Sequence, residues 1–203
     1  MNTGELQLFW RIRESEQAGQ EAVSLLMPKS GDETRAEFPT SVSFRTTSPP
    51  ALSERNRPVD VEWSDDDSDL FMSLLDRVMD LTEEAEMVLD VSDELVQGIV
   101  QLVALVRFKQ PWDAEHLIGR DLNVLREELD IGDLVAINTR YGFCMAIVVG
   151  LDSMDVTCIL LDSVEDDQGM VLLTENTVLL VSRMSVVSSV FCESESAEGV
   201  VLQ

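Results

Sequence analysis

Histidine and tyrosine each occur once in this chain, as His116 and Tyr141, and only 14 of its 203 residues are Lys or Arg. His116 has no neighbouring Cys or Ser and no paired histidine, so the sequence indicates neither a catalytic triad nor a metal site. The three cysteines, Cys144, Cys158 and Cys192, lack C-x-x-C spacing. That argues against a zinc centre and against a disulfide framework, and it fits buried thiols in a reducing compartment. A Gly-rich phosphate loop, a G-x-S-x-G elbow and an H-E-x-x-H pair are all missing. The expectation is a non-enzymatic chain with no catalytic residues, no cofactor and no metal. No window approaches the ~18 uninterrupted apolar residues of a membrane span, and M-N-T-G-E-L-Q-L-F-W-R-I-R lacks a secretory cleavage pattern. A soluble cytoplasmic or nuclear protein with no membrane partner is expected.

Acid is what the chain has in excess: 39 Asp and Glu give a net charge of -25. The excess is uneven, with 20 acidic and 5 basic residues in 59–130, and 11 and 2 in 131–203. Nucleic-acid affinity comes mainly from Lys and Arg displacing counterions, so direct nucleic-acid binding is disfavoured. A protein partner with a basic surface is favoured through electrostatic steering. The 45% apolar content is enough for a core.

The spacing predicts five segments. Residues 1–58 read as a mostly disordered N-terminal arm, because the Ser/Thr/Pro-rich passage Lys29 to Pro58 buries too little apolar surface and its prolines interrupt a helix or central strand. Within it, Leu6 to Ile12 is a short apolar patch that suits a first strand, a docking segment or a partner motif. Residues 59–69 read as an acidic linker and 70–129 as a helical segment of three helices. The first carries Phe71, Leu74, Leu75, Val78, Thr82, Ala85, Val88 and Leu89 on one face, with Ser64 or Ser68 as its cap. The second begins at Ser92 and stops before Pro111, and its broad apolar face predicts burial. The third begins at Asp113 and carries Leu117, Ile118, Leu122, Leu125 and Leu129.

From residue 130 to 191 the period changes to that of strands, at 134–137, 143–149, 156–161, 170–173 and 177–181, with 186–191 as a further candidate. Five short strands with tight polar turns suit a small closed barrel, since closure removes exposed edges. Residues 192–203 read as a disordered tail. The fold class expected is therefore α+β: an acidic helical segment followed by a small five-stranded antiparallel β-barrel, behind a disordered N-terminal arm.

The run Gly132-Asp133-Leu134-Val135-Ala136, then Met145-Ala146-Ile147-Val148-Val149 and Val156-Thr157-Cys158-Ile159-Leu160-Leu161-Asp162, resembles a Tudor domain. That resemblance implies a reader of methylated peptides, whose cage needs several aromatic faces around the cation. Tyr141, Phe143 and Asp162 are the positions it points to, while Leu161 and Ser163 stand where further rings would be expected. The stretch from Gly142 to Asp162 followed by L-L-T-E-N-T-V-L-L-V is also similar to the Sm-like fold. This second resemblance implies a scaffold in ribonucleoprotein assembly. Met154-Asp155 and Thr174-Glu175 replace the family's RNA-contact residues, leaving sheet edges as the partner surface.

Two acidic patterns remain. Asp65, Asp67 and Asp69 have the start of a calcium loop, but Leu70 stands at its sixth position and Asp76 at its twelfth, so a solvated helix start is the reading. The run Val59-Asp60-Val61-Glu62-Trp63-Ser64-Asp65-Asp66-Asp67-Ser68-Asp69 looks like a SUMO-interacting motif, an extended apolar core next to acid. Ser64 and Ser68 precede acid in a way that suits an acidophilic kinase. Val59, Val61, Trp63, Phe71, Leu74 and Leu75 are accordingly the candidate partner motif. The function expected is a protein-interaction or adaptor subunit of a larger complex.

Overall fold

The computed structural model describes residues 7–15, 19–28, 35–45, 57–79, 93–119 and 128–188. They fall into two compact units, one within Met1–Met72 and Glu84–Lys109, the other within Ser73–Glu83 and Gln110–Gln203.

In the first unit, β1 (Phe9–Glu14), β2 (Gln20–Pro28), β3 (Arg35–Arg45) and β4 (Val59–Glu62) form one antiparallel sheet in the order β3-β2-β1-β4. The N-terminal arm expected to be disordered is thus corrected: much of it is strand. The apolar patch at its start belongs to β1, where Trp10 pairs with Leu25 of β2 on one side and with Val61 of β4 on the other. Alternation places Trp10 and Ile12 on one face and Arg11 and Arg13 on the other, where Arg11 and Arg13 form ion pairs with Glu37, and Arg11 also with Asp60. The Asp60 carboxylate raises the pKa of Arg11 further above its already high ordinary value. Pro39 is tolerated because β3 is an edge strand, where a missing N–H breaks no second ladder. The acidic linker is likewise part strand and part helix.

Two α-helices occur among the described residues. Helix α1 (Asp65–Met79) opens with a capping box: the Ser64 Oγ accepts from the Asp67 N–H at 3.2 Å, and the Asp67 carboxylate accepts from the Ser64 N–H at 2.9 Å. The expected face positions Thr82, Ala85, Val88 and Leu89 lie outside the described residues. Helix α2 (Glu94–Phe108) is capped by Asp93, one residue after the expected Ser92, and buries Val96, Ile99, Val100, Val103, Ala104 and Leu105. Its Gln101 accepts from the Ser41 N–H of β3 at 2.9 Å, satisfying an outward backbone donor on that edge.

In the second unit, β5 (Trp112–Asp113), β6 (Leu134–Thr139), β7 (Gly142–Leu151), β8 (Asp155–Leu160), β11 (Val178–Ser182) and β12 (Val186–Ser188) form a sheet in the order β12-β6-β7-β8-β11-β5. A separate hairpin joins β9 (Val164–Glu165) and β10 (Val171–Leu173). The closed five-stranded barrel is therefore corrected: the chain is mostly β with open sheets, and only the broad α+β class holds. The reason is local. Segment 112–119 pairs with β11 through β5 and bridges to Thr139 of β6 through Ile118 alone, and the turn between them breaks the ladder.

That turn also replaces the start of the expected third helix. Asp113 lies in β5 and accepts from the Glu115 N–H at 3.0 Å, and Leu122 and Leu125 lie outside the described residues. The core of the sheet gathers Val135, Ile137, Ala146, Val148, Val156, Cys158, Leu160, Leu179 and Val181 from alternate positions of adjacent strands. The Gly132-Asp133 pair sets the entry to β6. Gly132 has a φ of 90°, and a Cβ there would meet Arg77 of α1; Asp133 forms an ion pair with Arg77 and accepts from the Asp130 N–H at 2.8 Å.

Candidate interaction site

In the first unit, an apolar groove of about 200 Å³ is lined by Leu8, Leu25, Met27, Trp63, Phe71, Met72, Val96 and Val100, with Ser68 as its polar member. Leu8 and Trp63 meet through the Trp63 N–H donating to the Leu8 carbonyl at 3.1 Å, which extends the β1–β4 ladder by one pair. Helix α1 contributes Ser68, Phe71 and Met72 at three- and four-residue steps, and α2 contributes Val96 and Val100 in the same way. Behind Trp63 stands an aromatic cluster. Trp10 stacks on Trp63 at 4.8 Å between centroids and meets Phe108 edge-on at 5.7 Å, and Phe108 stacks on Phe44 at 5.6 Å. Trp10 is 0% exposed, and its Nε1–H donates to the Asp67 carboxylate at 3.2 Å. The Trp63 Nε1–H donates to the Ser68 Oγ at 2.9 Å, which fixes one wall of the groove. Met72, at 41% exposure, stands at its mouth.

The expected partner motif is only partly gathered here. Trp63 and Phe71 line the groove, and Val59 and Val61 sit in β4, already paired with β1. Leu74 and Leu75 are buried, so they serve packing. The segment resembling a SUMO-interacting motif is therefore a strand and a helix start, with Asp67 committed to the cap. Leu8, Leu25, Met27, Met72, Val96 and Val100 were not legible as groove residues, because they come from separate elements that only the fold brings together.

In the second unit, Tyr141 and Phe143 stand at the β6–β7 hairpin, 42% and 45% exposed. The turn is held by the Thr139 Oγ1, which donates to the Gly142 carbonyl at 2.6 Å and accepts from the Tyr141 N–H at 3.2 Å. Asp162 is exposed just beyond β8, where the Leu161 N–H donates to the Met145 carbonyl at 2.9 Å and continues the ladder toward Phe143. Among the described residues neither Tyr141 nor Phe143 makes a ring contact with the other or with a third ring. Leu161 and Ser163 are exposed beside Asp162.

Among the described residues no cluster of His, Cys, Asp and Glu is arranged to hold a metal ion. Asp166, in the acidic loop, accepts from the Gln168 and Met170 N–H groups at 2.9 Å and shapes a turn. His116 meets the ring of Trp112 edge-on at 4.9 Å. Among the described residues no helix is long and apolar enough to cross a membrane.

Burial pushes the Cys144 thiol up to about 11, with the Asp162 charge adding to it, and pushes Cys158 up to about 12. Both are free thiols. In the folded chain at neutral pH they should resist iodoacetamide and react only on unfolding, since the thiolate is the nucleophile. Site-resolved mass spectrometry reads this, and rapid native labelling of Cys158 would contradict it. Because both folded values lie above the ordinary 9.0, the neutral thiols leave stability unaffected below about pH 9. Stability then falls between about pH 9 and 12, as the unfolded chain ionises first. Cys192 lies outside the described residues.

No protein-family model matches the chain, and no curated protein matches it. The resemblance of residues 130–184 to Tudor and Sm-like domains rests on the quoted motifs alone.

Proposed function

We propose that this chain is a non-enzymatic interaction protein, an adaptor that holds a partner protein through the apolar groove of its first unit. The groove carries this reading. Its lining is apolar apart from Ser68, its volume of about 200 Å³ accepts one large apolar side chain, and the exposed Met72 stands at its mouth. A concave apolar site with few polar groups is the usual form of a docking pocket. Anchor side chains in such pockets carry most of the binding energy of an interface.

Met72→Arg is the informative variant, because Met72 is exposed and its loss opens no cavity in the core. Affinity capture with the full chain and with this variant, followed by reconstitution from purified components, should identify a partner whose affinity falls at least about tenfold in the variant. Circular dichroism should be unchanged. Partners that all bind the variant as tightly as the original chain would overturn the reading.

A further inference from the structure

We infer that the segment held by the groove is basic as well as apolar: one large apolar side chain enters beside Trp63, Phe71 and Met72, while flanking Lys or Arg side chains meet the exposed carboxylates of the first turn of α1. This rests on the reading of the groove as a docking site and specifies its partner.

The argument begins with helix geometry. Residues three and four apart stand on one face, so Ser68 and Met72 form a continuous lip of the groove. Asp65 precedes Ser68 by three residues, which places its carboxylate along that lip, and it is exposed. Asp66 is exposed in the same first turn, whereas Asp67 is buried and engaged with Ser64 and Trp10.

The cap thus uses Asp67, and the exposed Asp65 and Asp66 place like charge beside an apolar opening. Their repulsion is relieved by a cation placed there, and the low polarity of the groove wall strengthens that attraction relative to open water. Arg11 and Arg13 of β1 stand on the opposite face of the sheet, where they form ion pairs with Glu37, and Arg11 also with Asp60. The net charge of -25 adds long-range steering of a basic segment and repels phosphate-bearing ligands.

The test uses the full chain and three synthetic amphipathic peptides that share one Leu/Phe apolar stripe and carry Lys, Gln or Glu at the flanking positions. Isothermal titration at low salt should rank them Lys, Gln, Glu, with the Lys peptide about tenfold tighter than the Gln peptide and the gap closing at high salt. Asp65→Asn with Asp66→Asn, which leaves the cap residue Asp67 in place, should cut the Lys preference to about twofold while the Gln peptide binds as before. Met72→Arg should abolish binding of the Gln peptide.

Equal affinity for Lys and Gln peptides, or a Lys preference unchanged by the double substitution, would overturn the inference and leave the groove as a docking site. Absence of binding by all three peptides, or binding insensitive to Met72→Arg, would overturn the groove reading together with it.

Discussion

Trp10→Ala should destabilise the protein by about 4 kcal/mol, within the range of roughly 3–5 kcal/mol for aromatic truncation in a core. Trp10 is fully buried, stacks on Trp63, meets Phe108 edge-on and donates its indole N–H to Asp67. Alanine removes all three interactions and leaves a cavity bordered by groups from β4, α1 and α2. Trp63 also loses the ring behind it, so the groove wall loosens along with the core. Urea unfolding followed by near-ultraviolet circular dichroism reads the loss. A cost below about 1.5 kcal/mol would mean that the aromatic cluster is not the organising centre of the first unit. Trp10→Phe separates the contributions, since it keeps a ring for stacking but removes the donor.

The second large effect is expected at Asp67. Its side chain is the acceptor half of the capping box and the partner of the Trp10 indole. Asp67→Ala should cost about 3 kcal/mol: roughly 1 for the lost reciprocal bond from the Ser64 N–H, and roughly 1–3 for leaving the indole N–H buried without an acceptor. The exposed neighbour Asp66, changed to alanine, should cost no more than about 0.5 kcal/mol, as surface substitutions usually do. A double-mutant cycle of Asp67→Ala with Trp10→Phe measures the shared part, because the two residues are in contact. Additive effects would show that the 3.2 Å bond contributes little and that the cap alone explains the cost.

These two residues also show how far the sequence could be read. The capping potential of Ser64 was visible from its position before an acidic run and an apolar helical repeat, because caps are local. The bond of Asp67 to Trp10 was not visible. A calcium loop, a solvated helix start and a linear motif all contain the same Asp65, Asp67 and Asp69; the reciprocal bond with Ser64 is local, but the acceptor role toward Trp10, 57 residues away, is not.

The same division runs through the rest of the molecule. Strands β6, β7, β8 and β11 lie close to the expected segments, because half-buried strands announce themselves by alternation and turn residues. The turn that carries Tyr141, between the expected strands 134–137 and 143–149, was legible for the same reason. The patch at Leu6 to Ile12 left a first strand as one option, and polar, proline-rich text hid β3, although Phe38, Thr40, Val42 and Phe44 form a period-two row in it. Pro39 argued against a strand until the sheet order placed β3 at an edge, where its missing donor does no harm.

By itself, then, the sequence determined the acidic character, the presence of both helices and the alternating strands of the second unit, since each depends on neighbours within a few residues. The tertiary structure alone decided that the N-terminal residues form a sheet, that the second sheet stays open and that Trp63, Phe71 and Met72 share a groove with Leu8, Val96 and Val100. Pairing partners, edges and cavities depend on residues far apart in the chain, and short-range periodicity carries no information about which distant segments meet.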